Sequence, residues 1–165
     1  MPEWMDSNGK RLADYEHPSA AVDTAVLTYC DDALQVLVVE HRLGKLALPG
    51  TFLHADGRRR ERFADAAERA LREKTGLSGI QFHQLAVFDD PDRDERGWVI
   101  SMAHTAAVPF EALSDDAVLV RVIDGKPEQS LAFDHDDMVR LAVDNLRARY
   151  TQQVDPARLL GESFT

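Results

Sequence analysis

Glu73, with Ala70 and Lys74 beside it, is the residue around which chemistry on an anionic group could be built. Positions 70, 73 and 74 are related by i, i+3 and i+4 steps, so on a helix they project from one face into a common volume. Carboxylates at all three would form an oxygen-ligand stripe for Mg2+, a hard cation. Such an ion masks charge on phosphate oxygens and generates a nucleophile near neutral pH. Here the stripe reads Ala, Glu, Lys. Only Glu73 of the three is a carboxylate, and Lys74 brings a cation to the same face. A lysine ammonium about 4 Å from a carboxylate gains about 4 kcal/mol of gross Coulomb energy at an effective dielectric of about 20. Solvent reduces that figure. The expectation is a Lys74–Glu73 ion pair rather than a metal, with Arg69 one turn away adding to it; the other reading is a solvated charge network with Glu68 and Arg72. Glu61, eight residues before Arg69, is a second carboxylate and at most a weak metal ligand.

Further candidates lie in loops. Arg58, Arg59, Arg60 and Arg62 stand out from an acidic chain. They are read either as a solvated loop, the favoured reading, or as guanidinium groups gripping phosphate oxygens. The acidic stretch D-D-P-D-R-D-E-R-G contains Arg93 and Arg96, placed to pair with its own acids; Asp94 or Glu95 could alternatively serve a metal. His41, His54, His83, His104 and His135 are scattered singly and read as satisfied surface or core residues. Cys30, the one cysteine, ends an apolar run and reads as a core thiol.

The elements that must position these groups follow from periodicity. Ala20–Cys30 and Ala33–His41 read as strands joined by a tight turn at Asp31–Asp32. Leu46–Leu53 reads as a strand bent at Pro49–Gly50, and Ala55–Arg60 as a turn. From about Glu61 the apolar period becomes helical, with Gly76 as the stop. Strands follow over Ile80–Phe88, Trp98–Val108 and Ala117–Ile123. A last helix runs from an Asp134 N-cap to about Gln152. The order β-β-β-α-β-β-β-α predicts an α/β fold, a mixed sheet between helices.

The chain has 165 residues, 44% hydrophobic and 29% charged, which fits one soluble domain of ordinary core size. Its formal net charge of −10 disfavours nucleic-acid backbones unless a local basic patch overrides it. A single cysteine excludes an internal disulfide. The opening residues lack a signal-peptide core and no stretch reaches the length of a membrane span, so a cytoplasmic location without membrane contact is expected.

The stretch R-A-L-R-E-K-T-G-L from Arg69 to Leu77, downstream of L-P-G at residues 48–50, resembles the box of the Nudix superfamily, R-E-U-x-E-E-x-G-U with U aliphatic. Arg69, Leu71, Glu73, Gly76 and Leu77 match; Ala70 and Lys74 replace its first and last glutamates. Glu61 has the spacing of the upstream box glutamate, although the distance back to Gly50 or Thr51 is about four residues longer than the family pattern. Gln84–His104 resembles the ADP-ribose pyrophosphatases of that superfamily and the related regulators of NAD metabolism. The resemblance covers about residues 18–152. It implies a Nudix fold over 20–153, an N-terminal arm over 1–19, and a tail over 154–165 like the start of a linker to an absent winged helix. Glu73, Arg69 and Glu61 become the candidate catalytic residues, Glu73 and Glu61 the candidate metal ligands, and Arg58, Arg59, Arg93 and Arg96 the candidate ligand-binding residues. The function it implies is binding of an ADP-ribose-like nucleotide with weak or lost hydrolysis. The alternatives are an active Mg2+-dependent hydrolase drawing carboxylates from Asp94, Glu95 or Glu111, and an interaction module with a vestigial cleft. The cofactor is Mg2+ if the chain is active, otherwise none. The expected partners are a nucleotide-type small molecule and a second copy in a homodimer, with no nucleic acid.

Overall fold

The apolar run after residue 19 becomes β1 (Ser19–Cys30), buried without a break from Ala21 to Thr28. A strand covered on both faces must lie at the centre of a layered fold. The computed structural model, which describes residues 3–42, 44–56 and 59–160, places it there. β2 (Ala33–Glu40) returns antiparallel through Asp31 and Asp32, both at positive φ (51° and 55°), the backbone that a tight two-residue hairpin requires. Two short strands, β3 (Leu46–Ala47) and β4 (Gly50–Phe52), attach to β2 and β1 respectively. The predicted bent strand is therefore two pieces interrupted at Leu48–Pro49. The predicted turn over 55–60 carries a small exposed ladder, β5 (Ala55–Asp56) with β6 (Arg59–Arg60).

After helix α1 (Phe63–Thr75) come β7 (His83–Phe88), β8 (Val99–Ala107), β9 (Val118–Ile123), β10 (Lys126–Pro127) and helix α2 (His135–Tyr150). The sheet order is β10-β9-β2-β1-β8-β7. β1 and β8 run parallel while the other neighbours are antiparallel, so the predicted mixed sheet is present.

The alternation of β1 sorts the core into two layers. Val22 and Val26 face α1, where Ala66, Ala67 and Leu71 are buried. Ala25 and Leu27 face α2, where Met138, Val139, Ala142 and Val143 are buried. Each large side chain so buried contributes about 1.5–3 kcal/mol. The alanines of α1 let it lie close to the sheet, and Gly76 ends it at φ 73°, as expected. α1 begins after Glu61, leaving that residue in the preceding loop.

Asp134 does not cap α2 through its side chain; its carboxylate is taken by Arg93. Asp136, in the first turn, instead ties the preceding loop to α2, accepting from the Leu131 N–H and the Ser130 hydroxyl at 2.8 Å each. Residues Ala157 and Leu159 of the tail pack back on the α2 layer. Among the described residues no helix is long and apolar enough to cross a membrane. Arg58 and residues 161–165 of the tail lie outside the described residues.

Candidate functional site

The Leu48–Pro49 break steers the chain so that Gly50 sits opposite Asp23 of β1. A Cβ at residue 50 would stand 2.0 Å from Asp23 Oδ1 and 2.6 Å from the Val22 carbonyl, so only glycine permits this approach. Asp23 is buried, an expensive place for a carboxylate, and two donors face it. The Ser101 hydroxyl donates to Oδ2 at 2.6 Å, and His135 Nε2 lies 3.4 Å from Oδ1. His135 is fixed in turn because its Nδ1 accepts the Leu48 N–H at 3.0 Å. Neither Asp23 nor His135 was singled out as functional by the sequence reading. The signal for Asp23 was present: one acid inside A-A-V-D-T-A-V, an otherwise apolar strand.

Asp23, Leu48, Gly50 and His135 line a cleft of about 560 Å³ whose walls also carry Lys74, Arg42, Arg93, Asp94 and Arg96. Lys74 enters from α1. The residue is exposed, but its ammonium donates to the Gly50 carbonyl. Burial of the ammonium draws its pKa below the ordinary lysine value, opposed by the nearby Asp23 and Glu73 carboxylates. The expected Lys74–Glu73 ion pair is thus replaced by a contact with β4. The reason is angular: Lys74 follows Ala70 along the inward face, whereas Glu73 points outward with 59% of its side chain exposed. Glu73 lies 3.9 Å from Arg69.

Arg69 and Glu61 are brought together. Arg69 Nε and Nη2 donate to the two Glu61 oxygens at 2.7 and 2.9 Å, and Nη2 also donates to the Phe52 carbonyl at 2.9 Å. Glu61 further accepts the His54 N–H at 2.7 Å. The hydrogen bonds from Arg69 and then from His54 hold the Glu61 pKa at about 2. Arg69 therefore fastens the loop after β4 onto α1.

Of the arginines expected at the site, Arg93 and Arg96 line the cleft, whereas Arg59 lies exposed on β6 opposite Asp56. Arg93 leaves its own loop and pairs with Asp134, Nη2 to Oδ1 at 2.7 Å, with only 3% of its side chain exposed. Arg96 pairs with Asp94 as expected, Nη2 to Oδ2 at 2.8 Å, and the Arg96 hydrogen bond lowers the Asp94 pKa. Its guanidinium sits 5.4 Å from the Phe52 ring and 5.2 Å from that of Phe133, cation–π distances on both sides. His41 lines the same cleft and meets Phe133 edge-on.

A divalent metal needs several oxygen ligands free to converge. Here Glu61 is held by Arg69, Asp94 by Arg96, Asp23 by Ser101, and Lys74 occupies the Gly50 carbonyl. Among the described residues no group of three or more His, Cys, Asp or Glu side chains could hold a metal ion. The donor set does not suit Mg2+.

No protein-family model matches the chain. Curated relatives do. An ADP-ribose pyrophosphatase from Methanocaldococcus jannaschii is 31% identical over 79% of this chain and 76% of its own. Among solved structures, a MutT/Nudix family protein from Listeria innocua is 30% identical, with a TM-score of 0.65 over 84% of this chain and all of that one. The chain belongs to the Nudix family.

An ADPR-responsive transcriptional repressor from Acinetobacter baylyi is a further relative of this Nudix chain, 28% identical over 93% of it. The chain spans 64% of the repressor's length. The Nudix domain of Shewanella oneidensis NrtR, solved with ADP-ribose, is 26% identical with a TM-score of 0.65, covering 84% of this chain and 95% of that domain. NrtR was also solved with a 27-mer DNA; there the match is 28% identical with a TM-score of 0.66, over 79% of this chain and 63% of that one. These relatives overturn the expectation of no nucleic-acid partner. That expectation rested on a tail read as stopping before a winged helix, with the net charge of −10 in agreement; the charge is a sum over the whole chain, whereas phosphate contact depends on local basic patches.

Proposed function

We propose that the cleft binds ADP-ribose or a closely related nucleoside diphosphate derivative and releases it unhydrolysed, or hydrolyses it only slowly. One observation carries the reading: the Lys74 ammonium sits on the Gly50 carbonyl, inside the cleft and beside Asp23, where catalysis would need a divalent ion. A relative that responds to ADP-ribose and a neighbouring Nudix domain solved with it supply the ligand class. In this reading Lys74 and Arg96 face the diphosphate, and Phe52 or Phe133 offers a ring face for a planar base. Arg69 and Glu61 shape the cleft floor by holding β4, and Glu73 contributes no ligand. The folded unit is the ligand-sensing domain, preceded by an arm and followed by a tail whose Ala157 and Leu159 pack on the α2 layer. Ligand occupancy, not turnover, is then the output.

The test is paired. Calorimetric titration with ADP-ribose yields saturable binding, while turnover with Mg2+ or Mn2+ stays far below about 1 s−1, an ordinary enzyme rate. Turnover at that rate would put the hydrolase reading in its place. The absence of binding would leave the cleft vestigial.

A further inference from the structure

A diphosphate brought into a low-dielectric cleft needs positive charge within a few ångströms of its oxygens. Metal-dependent sites supply it with an ion held by free carboxylates and carbonyls. In this chain three carboxylates at or near the cleft, Glu61, Asp94 and Asp23, already serve protein cations or hydroxyls. The carbonyl of Gly50, a hard oxygen suited to a metal, accepts from Lys74 instead. That carbonyl is available only because residue 50 lacks a Cβ, which would collide with Asp23.

Building on the ligand reading above, we infer that Lys74 is a built-in counter-ion: its ammonium takes the place of a divalent cation and holds the ligand's diphosphate without metal. An ammonium has three donors and no acceptor. The Gly50 carbonyl takes one of them, and the remaining N–H groups can meet phosphate oxygens. Asp23 lines the same cleft and favours the charged ammonium, while Ser101 and His135 hold that carboxylate. Arg96 adds a second cation on the cleft wall. The site is thus charged for a diphosphate at all times, and its occupancy reports ligand concentration independently of magnesium.

The test measures ADP-ribose affinity by calorimetry in EDTA and in millimolar Mg2+, on the whole chain. Wild type binds equally in the two buffers, to within about twofold, and Lys74→Met weakens binding by about tenfold or more in both. Lys74→Glu combined with Ala70→Glu places two carboxylates one helical turn apart beside the Gly50 carbonyl; this variant titrates Mn2+, seen by the loss of its free-ion paramagnetic resonance signal, and binds ADP-ribose only with metal. Thermal melting checks that each variant is folded. If Lys74→Met is unfolded, Lys74→Gln, which is polar and uncharged, takes its place. Wild-type binding that requires Mg2+, or a folded neutral variant that binds as wild type does, overturns the counter-ion role while leaving the ligand reading intact. Failure of wild type to bind in either buffer overturns the ligand reading, and the counter-ion role falls with it.

Discussion

Two side chains that look alike in the sequence, Glu61 and Glu73, have opposite fates. Glu73 is mostly in water, while Glu61 is gripped by Arg69 and the His54 N–H. The Glu61 pKa is depressed from 4.5 to about 2 in the folded chain. A depressed folded value means that stability is fully present above the unfolded pKa and drains away as pH falls through the folded one. Glu61→Gln should therefore destabilise the fold by about 1–2 kcal/mol at pH 7, the scale of a charge-assisted hydrogen bond. The gap to wild type should close between about pH 5 and pH 2, as read by urea unfolding across that range. A gap that persists unchanged at the acid end would mean that the carboxylate is not the source. Gly50 is the second sensitive residue. Gly50→Ala forces a methyl group onto Asp23 and the Val22 backbone, so a cost of about 1–3 kcal/mol is expected from overpacking. Ligand affinity should fall as well, because the displaced carbonyl is the anchor of Lys74.

At the scale of elements, the sheet, both helices and the Gly76 stop were legible because periodicity and turn chemistry are local. The site was legible only in part. Glu61 and Arg69 were recognisable as candidates from their spacing in a known box, but their ion pair with each other was not. The capture of Arg93 by Asp134, 41 residues away, could not, because it depends on how α2 docks against the loop after β7. Asp134 looked like a helix cap since Asp at a helix start is usually one; a buried guanidinium outcompetes the backbone amides for its oxygens. That long-range pair ties the Asp90–Arg96 loop to α2. Asp134→Ala should cost about 3–5 kcal/mol, because it leaves the Arg93 charge buried without its partner. Amide exchange should quicken first in the residue 89–98 segment rather than in the central strands. A loss near zero, or exchange that quickens uniformly, would show that the loop is held by something other than this pair.

The whole molecule carries −10 formal charges, yet its cleft presents Lys74, Arg42 and Arg96 to an anionic ligand. The two fields act over different distances. The net charge repels a doubly charged diphosphate across tens of ångströms, whereas the cleft cations act at contact. Screening lengths shrink from about 30 Å at 0.01 M salt to about 8 Å at 0.15 M. Added salt over that range removes the long repulsion first and leaves the contacts within the cleft largely intact. Association of ADP-ribose should therefore speed up with salt from about 0.01 to 0.15 M, the reverse of the steering seen when a cationic surface attracts an anion. Dissociation should change little over the same interval and rise only toward about 1 M, where the screening length approaches contact distance. Stopped-flow binding against ionic strength reads both rates. An association rate that falls steadily from the lowest salt would mean that the cation-lined cleft, and not the acidic surface around it, sets the potential the ligand meets on approach.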